Sequence, residues 1–165
     1  MSIFVAIDFE TASRAQDSAC ALAVVRVEGA KIAAQSHRLI RPPSRLFEFT
    51  HIHGITWQDV EREAPFAEVW RSMLPLLEGA EFIAAHNASF DAGVLAQCCA
   101  DAGMAPPALP YRCTVQLARR TWKLHPARLP DVCRHLKIPL NHHDALSDAS
   151  ACAQIVLAAQ TSGEQ

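Results

Sequence analysis

The sequence predicts an α/β domain in which helices flank a mixed five-stranded sheet. Its first quarter contains three runs rich in apolar and β-branched residues, separated by short polar turns, which is typical of an antiparallel meander. After these runs, helix-like and strand-like segments alternate. A chain of 165 residues, half of them hydrophobic, is long enough to bury such a sheet in one core.

Three strands are predicted for the meander. Residues 3–7 form a nearly continuous apolar run that suits a buried strand better than a helix of that length. The run breaks at Asp8, and residues 11–17 after the strand are polar and turn-like. Residues 19–27 and 31–40 are the second and third strands, because Glu28-Gly29-Ala30 between them has the composition of a turn.

Helices and two further strands are predicted for the rest of the chain. A loop over residues 46–63 contains a short helical turn that starts at Thr56 or Trp57, and Pro65 opens an amphipathic helix that Gly79 stops. The remaining predicted elements are a strand over 81–86, a helix over 90–102 and a strand over 111–114. Thr114 is the expected cap of a helix that runs to about residue 122, and further helices cover 129–137 and 144–159. We expect a single domain over residues 1–160 and a short tail over 161–165.

Two carboxylates end the first strand. Because side chains alternate along a strand, Asp8 and Glu10 point to one side while Phe9 points to the other, into the core. Like charges a few ångströms apart resist joint ionisation. A hard divalent cation with oxygen ligands is the simplest compensation, so these two residues are the first candidates for a metal site.

Two further carboxylates are expected at the same edge of the sheet. Asp91 lies near the start of the helix after the fourth strand, where open α/β proteins keep their sites, although it could also be an ordinary first-turn helix acid. Asp144 is predicted to cap the last helix, which puts Asp148 one turn further in and His143 just before the helix. Small alanine neighbours would let this helix approach the first strand closely enough for Asp148 to meet its carboxylates.

Three motifs at these positions resemble those of a known family. Residues 8–11 resemble a D-x-E-T motif, residues 86–91 resemble H-N-x-x-F-D, and residues 143–148 resemble H-x4-D. In order and spacing they are similar to the DEDDh 3'-5' exonucleases, which include the proofreading epsilon subunit of bacterial DNA polymerase III. The resemblance implies a ribonuclease H-like fold, two divalent ions (Mg²⁺ or Mn²⁺) and hydrolysis from a 3' end that releases nucleoside 5'-monophosphates.

The resemblance also implies roles for the four carboxylates. Asp8 would bridge both ions. Glu10 and Asp148 would complete the site of the ion that serves the nucleophile, and Asp91 would support the second ion.

A histidine is the expected general base. The resemblance points to His143, which has the five-residue offset from Asp148 that the family motif requires. Its reference pKa of about 6.5 lies close to working pH. The adjacent His142 is the competing candidate.

Five residues are candidates for binding the substrate. The resemblance places the 3' nucleotide against the backbone around Thr11 and Ala12. His53 is a loop residue that could lie near substrate, Asn87 either touches the terminal nucleotide or orients its turn, and Phe90 either faces the substrate or packs.

Charge distribution favours a polymeric substrate. Residues 102–137 carry seven Lys or Arg against one acid, a balance of +6, although the whole chain has a formal charge of -2. The expected partners are therefore single-stranded DNA or RNA 3' ends. A solvated basic surface and a phosphoesterase acting on small nucleotides are the alternatives.

Other features of the sequence predict the cellular location and the partners of the protein. No leader and no apolar run of membrane-spanning length is visible, so we expect a cytoplasmic protein without membrane association. The six cysteines show no CxxC spacing, which favours reduced, buried thiols. Because the chain ends soon after its third motif, a stable polymerase partner is doubtful, and a free-standing exonuclease fits better. The sequence leaves the oligomeric state open, as well as a non-catalytic binding domain of the same fold.

Overall fold

A mixed five-stranded sheet forms the centre of the molecule in the computed structural model, which describes residues 1–163. Its strands are β1 (Ile3–Thr11), β2 (Ala19–Glu28), β3 (Lys31–Leu39), β4 (Ile83–Ala85) and β5 (Tyr111–Cys113). They lie in the order β3-β2-β1-β4-β5. The first three pair antiparallel, whereas β4 is parallel to both β1 and β5. The predicted meander and mixed sheet are confirmed.

Helices cover both faces of the sheet. They are α1 (Thr50–His53), α2 (Trp57–Val60), α3 (Phe66–Met73) with a following 3-10 turn (Leu74–Leu77), α4 (Ala88–Asp101), α5 (Thr114–Trp122), α6 (Leu129–Leu136) and α7 (Ala145–Thr161). Helices α3 and α4 pack on one face, and α5, α6 and α7 pack on the other. No helix in residues 1–163 is long and apolar enough to cross a membrane.

The alternation of side chains along β1 assigns each residue to one of the two layers. Phe4 and Ala6 pack into the layer of α7, while Val5, Ile7 and Phe9 pack into the layer of α3 and α4. Since both faces of β1 are covered, its sequence is almost continuously apolar. The next residues on the Phe4 face are Asp8 and Glu10, so both carboxylates point toward the layer of α7.

Small side chains bring α7 close to the sheet. Six of its buried residues are alanine or cysteine: Ala145, Ala149, Ala151, Cys152, Ala153 and Ala159. Cys152 also contacts the hydroxyl of Thr114. Asp144 caps the helix by accepting a hydrogen bond from the Ser147 N–H at 2.9 Å, as predicted. The first turn of α7 is thereby held against the end of β1.

The structure corrects four details of the predicted elements. Residues 50–53 form α1 rather than loop, and β4 covers only three residues, of which all pair with β5 and the first two also pair with β1. Cys113, not Thr114, is the N-cap of α5, because the Thr114 hydroxyl bonds to His86 instead. Helix α7 runs to Thr161, beyond the predicted 159. The division into a domain over 1–160 and a tail over 161–165 stays a prediction, and residues 164–165 lie outside the described residues.

Candidate active site

Three carboxylates converge where β1 ends beside the first turn of α7. Oxygen atoms of Asp8, Glu10 and Asp148 all lie within 4.8 Å of one another. Glu10 is 8% exposed and Asp148 is 4% exposed, so both have lost most of their hydration. The Asp8 Oδ2 atom is buried and has no hydrogen-bond partner. Because an unpaired buried carboxylate oxygen is costly, a cation bound by this atom would relieve that cost.

The electrostatics of this cluster favour a cation. Burial, followed by the charges of Asp91, Asp148 and Glu10, raises the pKa of Asp8 well above its usual value. Burial and the Asp148 charge raise the pKa of Glu10 to about 8. Burial also raises the pKa of Asp148. The three groups therefore resist joint ionisation, and their hard oxygen donors fit Mg²⁺ or Mn²⁺.

Asp91 has a structural contact in addition to its place beside the cluster. It lies in the first turn of α4 and is 1% exposed. Its Oδ1 accepts a hydrogen bond from the Phe9 N–H at 3.0 Å, which ties α4 to β1. Burial raises its pKa to about 7 despite that bond. Asp91 is not part of the 4.8 Å cluster of residues 8, 10 and 148, but its charge acts on Asp8.

The two neighbouring histidines both lie at Asp148. The His143 backbone N–H donates to Asp148 Oδ2 at 3.1 Å, and the His142 Nδ1 lies 3.2 Å from the same oxygen. The two rings stack with centroids 3.8 Å apart. Burial, followed by the charge of His142, lowers the pKa of His143. The structure thus brings both base candidates to the site, and it shows a ring contact from His142 that sequence spacing alone did not indicate.

His53 fastens the α1 loop to the end of β1. Its Nε2 donates to the Thr11 carbonyl at 2.9 Å, while its Nδ1 accepts from the Ile55 N–H at 3.0 Å. Both ring nitrogens are therefore used by backbone groups, which fixes a neutral tautomer. Burial lowers the pKa of His53, in keeping with a neutral ring.

Ala12 is held by the same loop. Its carbonyl accepts from the Glu48 and Phe49 N–H groups at 2.7 and 3.1 Å, and its own N–H donates to the Ser18 carbonyl at 2.8 Å. Ala12 is almost fully buried. The backbone at this position is thus occupied within the protein, and Thr11 is the residue of the pair that lines the cleft.

A cleft of about 270 Å³ opens onto the carboxylates. Phe90, which the sequence suggested, lines it and is exposed. Three further apolar residues also line it that sequence reasoning did not single out: Phe49, Ile52 and Leu129. Phe49 and Ile52 lie at the start of α1 and Leu129 begins α6, so no single sequence pattern joins them. These side chains give the cleft apolar walls beside an acidic floor.

His86 and Asn87 lie between this cleft and a neighbouring groove. The His86 Nε2 donates to the Ala127 carbonyl at 3.0 Å, and its Nδ1 lies 2.8 Å from the Thr114 hydroxyl. Burial lowers the pKa of His86 to about 4. Asn87 has left-handed backbone angles (φ 64°) and lines the neighbouring groove, not the carboxylate cleft.

Comparison with known proteins identifies the family. The family model described as exonuclease, RNase_T, matches residues 5–156, which include all four carboxylates and His143. This chain belongs to the DEDDh exonuclease family. Among curated relatives of this chain, the PolC-type DNA polymerase III of Thermotoga maritima is 33% identical over 93% of the chain, and the 3'-5' exonuclease DinG of Bacillus subtilis is 31% identical over 93%. The chain spans only 12% and 17% of these two proteins.

Solved exonuclease structures share the fold. Exonuclease X, solved in complex with 5' overhanging duplex DNA, is 28% identical with a TM-score of 0.77 over 98% of this chain and 94% of its own. The nuclease domain of 3'hExo, a DEDDh family member bound to rAMP, is 17% identical with a TM-score of 0.84 over 98% of this chain and 93% of its own. The ribonuclease H-like fold implied by the motifs is confirmed.

Proposed function

We propose that this DEDDh exonuclease hydrolyses phosphodiester bonds from the 3' end of single-stranded DNA or RNA and releases nucleoside 5'-monophosphates. It would depend on two divalent ions, Mg²⁺ or Mn²⁺. The observation that carries this proposal is the buried, unpartnered Asp8 Oδ2 in a cluster with Glu10 and Asp148. Such a cluster has few structural uses, because it would destabilise the fold without a cation.

The carboxylates would hold the ions. Asp8 would contact both, Glu10 and Asp148 would complete one site, and Asp91 would support the other. Bound divalent ions lower the pKa of water and stabilise charge on phosphoryl oxygens. Asp91 also keeps β1 in place through its bond from the Phe9 N–H, so the carboxylate positions depend on it.

His143 would take the proton from the attacking water. Its lowered pKa keeps the ring largely neutral near pH 7, and a neutral imidazole can accept a proton. Its backbone bond to Asp148 fixes the residue beside the carboxylates. The His142 ring, in contrast, has its Nδ1 occupied by the Asp148 carboxylate 3.2 Å away. We therefore assign the base to His143.

The apolar walls would receive the terminal nucleotide. Phe90 and Ile52 are exposed on the cleft and offer surfaces against which a base can pack. The end of β1 at Thr11 forms the adjoining wall, which His53 holds in place. The curated name of DinG, a 3'-5' exonuclease, supports the proposed direction of hydrolysis. All six cysteines are free, which is in keeping with the proposed cytoplasmic location.

Hydrolysis of matched 5'-labelled DNA and RNA oligomers tests this proposal. Wild type and Asp8→Asn would be compared with Mg²⁺, Mn²⁺ or EDTA. We expect a metal-dependent ladder that shortens from the 3' end, and its loss in Asp8→Asn. His143→Ala should lose about 10²-fold or more in rate, and His142→Ala far less. Tight binding without cleavage by wild type under every metal condition would instead favour a non-catalytic domain.

A further inference from the structure

A second depression adjoins the carboxylate cleft. It has a volume of about 710 Å³ and lies between the end of β4, α5 and the start of α6. We call it the arginine groove, because its lining includes Arg119, Arg128 and Arg134. It shares His86, Leu129 and His142 with the carboxylate cleft. The two depressions therefore adjoin, and a chain molecule whose end lies in the cleft can pass over these shared residues into the groove.

The charged groups of the groove are mostly positive. The Arg128 and Arg134 side chains are 75% and 76% exposed, and Asp131 lies between them, 2.8 Å from Arg128 and 3.5 Å from Arg134. Arg119 projects from α5 and is exposed. Asp131 is the one acid in the described lining, so three guanidinium groups face a single carboxylate. The surplus of positive charge lies at the mouth of an acidic cleft.

The floor of the groove is fixed rather than mobile. His86 bridges the strand end to the segment before α6, because one ring nitrogen donates to the Ala127 carbonyl and the other meets the Thr114 hydroxyl. Asp131 also closes the first turn of α6 by accepting from the Arg128 N–H at 3.3 Å. The guanidinium groups are thus carried by elements whose positions relative to the cleft are set by hydrogen bonds.

We propose that the arginine groove binds the phosphodiester backbone of the nucleotides that precede the 3' terminal one. This inference rests on the proposed function, since it requires a 3' end in the carboxylate cleft. Guanidinium groups match phosphate oxygens in charge and in hydrogen-bond geometry, and three of them in one groove can contact more than one phosphate of a strand. The occupant is a single strand of nucleic acid, because it must continue from the cleft without a break. The groove would let the enzyme prefer long strands over short ones.

Equilibrium binding tests this proposal without requiring turnover. In the Asp8→Asn background, so that strands are not consumed, fluorescence anisotropy would measure the affinity for labelled oligothymidylates of about twelve and about three nucleotides. The substitutions are Arg119→Ala, Arg128→Ala and Arg134→Ala. Arg71→Ala on α3, in the opposite helix layer, is the matched control. Arg119→Ala is decisive, because Arg119 takes no part in the Asp131 network, whereas Arg128→Lys serves as a milder second variant.

We expect each groove substitution to weaken binding of the long strand by about 3- to 10-fold and to reduce the salt slope by about 1. The affinity for the short strand should fall much less, and Arg71→Ala should change the affinity for neither strand. Three results would overturn the proposal: groove variants that lose the same affinity for both strand lengths, an Arg71→Ala variant that loses as much affinity as they do, or groove variants that lose no affinity. If wild type cuts no oligomer but the groove variants still bind the long strand less tightly, then the exonuclease proposal fails while the groove remains a strand-binding surface.

Discussion

Replacing Glu10 by Gln should stabilise the metal-free protein, although it removes a proposed metal ligand. Burial and neighbouring acids raise the pKa of Glu10 to about 8, from 4.5. The native state therefore holds a proton that the unfolded chain has already released between pH 4.5 and pH 7. Each pH unit of that interval corresponds to about 1.4 kcal/mol. The free energy by which Glu10 destabilises the metal-free folded state at pH 7 therefore has an upper bound of about 3 kcal/mol. Water in the open cleft reduces this to about 1–2 kcal/mol.

The sign follows from the raised pKa. The contribution of Glu10 to stability is fully present below pH 4.5 and is lost as the pH rises through about 8. Near pH 7.5 in EDTA, Glu10→Gln should therefore unfold about 2–8 °C higher than wild type. Saturating Mg²⁺ should reverse the order, because a ligand at 100 times its Kd adds about 2.7 kcal/mol to a protein that binds it.

Thermal unfolding by circular dichroism, at pH 5 and pH 7.5 with EDTA or Mg²⁺, measures all four conditions. Glu61 is an exposed acid after α2, so Glu61→Gln is the matched control. Its unfolding temperature should equal that of wild type under all four conditions. A Glu10→Gln protein no more stable than wild type in EDTA at pH 7.5 would refute the electrostatic reasoning. A wild type that Mg²⁺ does not stabilise would refute the role of Glu10 as a ligand.

Three further predictions concern residues around the carboxylates. Asp91→Asn keeps an acceptor for the Phe9 N–H and removes an acid whose pKa is raised to about 7, so at pH 7 it should be at least as stable as wild type. Asp91→Ala loses the acceptor and should be about 1–3 kcal/mol less stable than Asp91→Asn in urea unfolding; equal stabilities of the two variants would contradict the structural role of this bond. The pKa of His86 is lowered to about 4, so the free energy of unfolding of wild type should fall relative to that of His86→Gln as the pH drops from 6.5 to 4. A difference that stays constant over this range would contradict burial of a neutral ring. His53→Ala should lower the free energy of unfolding by about 1–3 kcal/mol and speed amide hydrogen exchange across α1. Unchanged exchange in α1 would show that the His53 ring does not hold the loop against β1.

Sequence pattern predicted the strands and the carboxylate pair well, because each depends on local alternation. Asp8 and Glu10 had to share a face once Phe9 was buried, and Asp144 had to cap a helix that places Asp148 one turn in. Helix α1 could not be predicted in this way. It depends on contacts with β1, since His53 and the loop N–H groups bond to backbone carbonyls that are more than thirty residues away in sequence.

The parts of the site that the sequence did not predict are set by tertiary packing. The contact of His142 with Asp148 depends on the left-handed backbone of His143, which the chain adopts without a glycine there. The arginine groove joins residues of α5 and α6, which pack in one layer with α7 and which His86 links by its contacts with Thr114 and Ala127. The sequence indicated a basic stretch over residues 102–137, but not which of its residues share one surface.

A crystal structure with Mn²⁺ and a nucleoside 5'-monophosphate would test the central claim most directly. Anomalous scattering locates the ion independently of the protein atoms. The account predicts an anomalous peak bound by the Asp8 Oδ2, about 2.0–2.3 Å away, with Glu10 or Asp148 as further ligands. Saturating Mn²⁺ that gives no peak at Asp8, or peaks only elsewhere on the surface, would contradict it.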